Sequence, residues 1–186
     1  MNKNYLIKSS SRIDVLEIES LMKERDALNE IKIKGDGRKI AFLHDNSIEP
    51  VLTEFLHRKR DAKITILSSP YDDGFMDNLL EEGFLYFPNT LIFPSDVIMK
   101  KIGFGDYSFY PSLSEYFSSL PLDALEAAGA YLRAGCNGIE ASKLLFIHRN
   151  TFLNRLNLFL AHTALDIRDY HNALLLELYF LLSSRS

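Results

Sequence analysis

Asn150, Asn154 and Asn157 follow one another at intervals of four and three residues. A helix wound at about 100° per residue sets three such side chains in one row. Each carboxamide carries a donor and an acceptor side by side, and that pair matches the edge an adenine shows in a major groove. Asparagine is a mediocre helix residue, so three in one outward row do little for the helix itself. Arg149 and Arg155 fall on opposite flanks of the row, where a helix laid in a groove meets two walls of phosphate. The plain alternative is a solvated polar face with two ordinary arginines.

The elements around this row are legible in the sequence. Phe152, Leu156, Phe159 and Leu160 recur at i, i+4, i+7 and i+8, a stripe that buries the opposite side of a helix running from His148, its expected cap, to about Thr163. A short helix over 138–145 precedes it, and Phe146 and Ile147 form the tight turn between them. Ala141 is small where two helices must approach closely, and Ile147 is apolar where it plugs the angle between them. Helices are also expected over 122–134, stopped by Gly135, and over 170–182. A short helix, a tight turn and a longer helix are the arrangement that places a recognition helix in a major groove. On this reading the DNA-contacting candidates are Ser142, Lys143, His148, Arg149, Asn150, Thr151, Asn154, Arg155 and Asn157.

The segment from 122 to about 182 resembles the C-terminal helix-turn-helix domain of the PucR/CdaR family of bacterial regulators. The resemblance rests on Ala130-Tyr131-Leu132-Arg133-Ala134-Gly135, on Ala141, and above all on Phe146-Ile147-His148-Arg149-Asn150-Thr151. Arg155-Leu156 and Asp166-Ile167-Arg168-Asp169 extend it. It implies DNA binding, often as a dimer, in regulators that respond to small metabolites. Where that family commonly carries basic residues and a tyrosine, this chain has Leu153, Asn154, Asn157 and Leu158. Each missing phosphate contact lowers affinity and flattens its salt dependence. The alternative is therefore a degenerate helix-turn-helix protein, retained for dimerisation or protein interaction.

The preceding residues read as mixed α and β. A helix is expected over 14–28 from the spacing of Val15, Ile18, Leu21, Met22 and Leu28. A hairpin follows, with strands over 30–34 and 39–43 joined by Gly35-Asp36-Gly37. Ser47 is a candidate cap for a helix reaching about residue 60, whose end carries His57-Arg58-Lys59-Arg60. Strands are expected over 63–67 and 90–93, and helices over 73–83 with a glycine stop, 95–102 and 112–120. Residues 84–117 hold ten aromatics, read mainly as the core of a small domain.

Gly103, Gly105, Pro111 and Pro121 cluster at the expected boundary. The fold class is thus α+β: a small mixed α/β domain over 1–110, a sensor or dimerisation unit, followed by an all-helical helix-turn-helix domain over 121–186.

Composition limits the function. With 47% hydrophobic and 25% charged residues the chain has a globular profile. No apolar run reaches the roughly 18 residues needed to span a bilayer. The first eleven residues are polar and lack an apolar signal core, and a lone Cys136 forms no internal disulfide, so a cytoplasmic location is expected. Of 21 Lys+Arg and 25 Asp+Glu, six and six lie in 121–186, so the net charge of −4 belongs to the first 120 residues.

No catalytic set is visible, and no metal site or cofactor is expected. The five histidines, at 44, 57, 148, 162 and 171, show no metal-binding spacing. Cys136 reads as a small buried residue. The expected function is a DNA-binding transcriptional regulator, not an enzyme. Its expected partners are double-stranded DNA, a second copy of the chain in a homodimer and a small-molecule effector, with no membrane.

Overall fold

A computed structural model describes residues 3–23, 31–34, 36–44, 48–59 and 61–184. The fold is α+β, and the chain divides into two compact units, Met1–Lys100 and Lys101–Ser186.

The first unit is a five-stranded mixed sheet with helices. Its strands are β1 (Lys3–Ser9), β2 (Ile31–Lys34), β3 (Lys39–His44), β4 (Ile64–Ser69) and β5 (Thr90–Ile92), in the order β2-β3-β1-β4-β5. The central strand, β1, is not among the strands expected from the sequence. It pairs antiparallel with β3 on one side and with β4 on the other. Strands β4 and β5 are parallel. A parallel pair needs a crossover, and α3 (Gly74–Tyr86) supplies it.

Alternation along β1 sends its side chains to two faces. Tyr5 and Ile7 join Ile40, Phe42, Ile64 and Ile66 in one core, closed by Ile18 of α1 (Val15–Lys23) and by Val51, Leu52, Phe55 and Leu56 of α2 (Glu49–Arg58). Helix α3 packs against β1 and β4, with Met76, Leu79 and Leu80 buried.

The expected glycine stop in α3 is not a stop. Gly83 is buried inside the helix, which runs on to Tyr86. A Cβ at Gly83 would run into Cδ1 of Ile92, so glycine is needed there for close approach of helix and strand. Asp73 caps α3 by accepting from the N–H of Met76 at 2.8 Å. Leu28 of the expected first helix, Gly35 of the expected turn, the candidate cap Ser47 and Arg60 at the basic helix end lie outside the described residues.

Helix α4 (Pro94–Gly103) runs across the division between the units. The second unit holds α5 (Tyr110–Ser118), α6 (Leu122–Arg133), α7 (Gly138–Leu144), α8 (Arg149–Thr163) and α9 (Tyr170–Ser183). Among the described residues no strand follows Pro121. Phe117 of α5 anchors this unit: its ring lies 6.5 Å from Phe159 and 4.6 Å from Tyr179. The Tyr116 hydroxyl donates to the Thr163 carbonyl at 2.8 Å, tying α5 to the end of α8.

One expectation about burial needs correction here. Of the aromatics over 84–117 only Phe109 and Phe117 are fully buried, whereas Phe104 and Tyr107 are exposed. Helix α9, apolar almost all round, buries only Leu175 and Leu176 fully, and Leu181 remains 55% exposed.

Candidate nucleic-acid interface

Local chemistry sets the two helices of the motif. Asn137 opens α7, its Oδ1 accepting from the N–H groups of Ile139 at 3.0 Å and Glu140 at 3.3 Å. The turn after α7 is held by two backbone bonds, Phe146 N–H to Lys143 O and Ile147 N–H to Ser142 O, both 3.1 Å. Phe146 takes a left-handed conformation there, with φ 53. His148 then caps α8 through Nδ1, which accepts from the Asn150 N–H at 3.2 Å. Accepting through Nδ1 leaves the ring proton on Nε2.

The core beneath the motif is small and tightly packed. Ala127 and Ala130 of α6, Ala141 of α7 and Phe152 of α8 are buried together, with Tyr131, Ile147 and Leu156 packed against them. Small side chains at the crossings let the three helices approach one another, and the Phe152 ring fills the space they leave. Phe152 and Phe159 are fully buried, while Leu156, expected inside, is half-buried.

The opposite face of α8 is open. Asn150, Asn154, Asn157 and Ala161 are all exposed, as are Arg149 and Thr151. The asparagine row therefore lies on one accessible face. Arg149 has no ion-pair partner among the described residues, and it stands at the N-terminal end of the helix beside the exposed Phe146 and His148. Lys143 is exposed but bonded within its own helix to Glu140 at 2.8 Å.

Two candidates are placed otherwise than expected. Ser142 is only 6% exposed, and its hydroxyl donates to the Ile139 carbonyl at 2.8 Å, which turns it inward and away from any groove. Arg155 is not a free phosphate contact. Its Nε lies 3.3 Å from Asp123 Oδ2 and its Nη1 3.8 Å from Glu126 Oε2, both on α6. The helical wheel puts Arg155 correctly at the edge of the stripe, but carboxylates 29 and 32 residues earlier in the chain are invisible to it.

Beside the row runs a groove of about 610 Å³ walled by Tyr131, Cys136, Leu153, Leu160 and Arg168 among others, with Arg149 and Asn157 on its rim. Cys136, expected inside, is exposed in a left-handed turn at φ 62 directly after Gly135. Arg168 is neutralised by Asp166, to which it donates through Nε at 2.7 Å and Nη2 at 2.6 Å. These bonds from Arg168 hold the Asp166 carboxyl below the ordinary aspartate range.

A short capped helix, a tight turn and a longer helix with an open polar face make the second unit a helix-turn-helix domain. More particularly, residues 124–182 match the family model of the PucR C-terminal helix-turn-helix domain, which spans α6 to α9. No curated protein matches the chain. Among solved structures it resembles the regulator of polyketide synthase expression from Bifidobacterium adolescentis, with 15% identity and a TM-score of 0.51, over 100% of this chain and 82% of that one. At that identity the likeness is one of fold.

Proposed function

We propose that the protein is a transcriptional regulator that lays α8 in the major groove of double-stranded DNA. The observation that carries this reading is the exposed row of Asn150, Asn154 and Asn157 on a helix whose other side is buried. Carboxamides read base edges, while Arg149, Lys143, Thr151 and the capped end at His148 approach the backbone. The PucR-type domain and the fold shared with a regulator support the same conclusion. One short recognition helix reads few base pairs, so the active form is a homodimer on a two-fold site, acting in the cytoplasm, with residues 1–110 as the sensor or dimerisation unit. Enzymatic activity forms no part of this reading.

One observation favours a second reading, an interaction module without DNA binding. Around α8, Arg155, Lys143 and Arg168 are each matched by carboxylates, whereas Arg149 has no ion-pair partner among the described residues. Random-site selection with the full chain at two salt concentrations separates the two. The regulator enriches a defined motif and loses it as salt rises. Recovery of no preferred sequence, with retention unaffected by salt, would overturn the DNA reading and leave the interaction module in its place.

A further inference from the structure

The first unit carries a basic cluster that DNA recognition by α8 does not use. Lys8 on β1 and Lys39 on β3 stand opposite each other in register. Glu81 of α3 takes both, Oε2 meeting Lys8 and Oε1 meeting Lys39. Phe84 lies one turn further along α3, and the Nζ atoms of Lys8 and Lys63 stand 4.9 and 4.5 Å from its ring centroid. The Ser10 hydroxyl holds Lys63 in place by accepting its backbone N–H at 3.0 Å. Among the described residues Lys63 has no carboxylate within ion-pair distance. Arg38 reaches the same region from the hairpin turn and pairs with Asp36 at 3.2 Å.

Lys8, Arg38, Lys39 and Phe84, with Ser9, Ser10, Asp36 and Asp77, wall a cavity of about 660 Å³. Its size is that of a small-metabolite site. Its walls are cationic and polar where such sites are usually apolar. Four cations (Lys8, Arg38, Lys39 and Lys63) meet three carboxylates (Asp36, Asp77 and Glu81), a local positive excess in a unit whose sequence is net acidic. The cations repel one another: burial first, then the charges of Lys39 and Lys63, push the Lys8 ammonium below the ordinary lysine range. An entering anion relieves that repulsion, and a phosphoryl group, with several oxygens on one centre, meets several cations at once.

We propose that this cavity binds the phosphoryl group of a small phosphorylated metabolite through Lys8, Arg38 and Lys39, with Lys63 reinforcing the field from across Phe84. Glu81 is the internal counter-ion, a carboxylate that occupies Lys8 and Lys39 until the phosphate displaces it. The site lies in the first unit and does not depend on whether α8 binds DNA.

The test is calorimetric titration and thermal melting of the full chain with inorganic pyrophosphate, against citrate at matched ionic strength. Pyrophosphate is expected to bind and raise the melting temperature, and citrate to bind more weakly. Arg38→Met and Lys39→Met each weaken pyrophosphate about tenfold, the order of one lost charge-assisted hydrogen bond. Glu81→Gln tightens it several-fold, because the competing carboxylate is gone. Lys59→Met removes a lysine paired with Glu17 and leaves binding unchanged. The exposed Arg38 keeps the test open should Lys39→Met fold poorly. Absence of pyrophosphate binding, equal binding of citrate, indifference to Arg38→Met, or no tightening in Glu81→Gln would each overturn the proposal.

Discussion

Arg155 of α8 points its guanidinium at Asp123 of α6, with Nε 3.3 Å from Oδ2, and so fastens the proposed recognition helix to the helix behind it. Glu126, one turn further along α6, adds a second carboxylate at 3.8 Å. The arginine side chain is 27% exposed and its partners about half exposed, so solvent screens the pair and the contribution is modest.

Arg155→Ala should therefore lower stability by about 1 kcal/mol or less, and a double-mutant cycle with Asp123→Ala should show most of that loss as coupling. The salt slope of DNA binding should stay the same in Arg155→Ala, because Asp123 and Glu126 already hold this guanidinium. In the Asp123→Ala/Glu126→Ala variant the guanidinium is released, and the slope should steepen. A slope that falls by about one unit in Arg155→Ala would show the arginine on phosphate after all.

The asparagine row and Arg149 should part company under mutation. Asn154→Ala is expected to cost roughly 1–3 kcal/mol at the preferred site and to relax the base preference at one position. Arg149→Ala should weaken binding to all sequences alike and flatten the salt slope by about one unit. Both should melt like the parent protein, whereas Phe152→Ala, which empties the centre of the motif, should cost about 3–5 kcal/mol in denaturant unfolding. Equal loss on every sequence from Asn154→Ala would remove the asparagine from base recognition.

The helix-turn-helix was legible because its signals are local. The cap at His148, the stripe through Phe152 and Phe159 and the open row opposite it all follow from spacing within single elements. What escaped depends on long-range contact. Strand β1 has only Tyr5, Leu6 and Ile7 as an apolar run, flanked by Asn4, Lys8 and Ser9, and becomes the sheet's centre only because β3 and β4 close on both its edges. Ser142 reads as a polar surface residue until its hydroxyl is seen to bond back to the Ile139 carbonyl. Gly83 reads as a helix stop because the neighbour that requires it, Ile92, arrives from another element.

Gly83→Ala tests that last point. A helix interior normally gains from alanine, by about 1 kcal/mol over glycine. Here the added methyl meets Ile92 Cδ1, with Val97 Cγ2 at 3.3 Å, and overpacking of a closed contact costs typically 1–3 kcal/mol. Urea unfolding should show net destabilisation, and Ile92→Val should recover part of it. A Gly83→Ala protein more stable than the parent would mean that the contact yields freely.

Asp106 supplies a pH dependence with a defined sign. Lys101 Nζ at 2.8 Å, then the Ser108 N–H at 2.9 Å, hold its carboxyl down at about 2. A carboxyl whose folded value lies below its unfolded one, about 3.9, stabilises the fold fully above that value. The contribution is lost as pH falls through about 2. A carboxyl-detected NMR titration should place Asp106 well below the ordinary aspartate range, and Lys101→Met should move it back up. Titration of Asp106 near 4 in the parent protein would rule this coupling out.

Phe146 separates stability from binding. It sits in the turn between α7 and α8 at φ 53, a conformation that L side chains adopt at a cost of about 1–2 kcal/mol, and its ring is 96% exposed. The ring buries nothing in return within the chain, and it stands next to His148 and Arg149 at the leading end of α8. Phe146→Gly removes the strain but frees the unfolded backbone by about 0.5–1 kcal/mol, so a net gain of roughly 0.5 kcal/mol in stability is expected. On the DNA reading the same change removes an apolar contact with the sugar edge or a thymine methyl, and affinity should fall while the melting temperature rises. Phe146→Ala keeps the backbone strain and removes the ring, so it should lose affinity without gaining stability. If both variants bind DNA as tightly as the parent, Phe146 faces away from the duplex, and the docking of α8 must be turned so that Arg149 approaches without it.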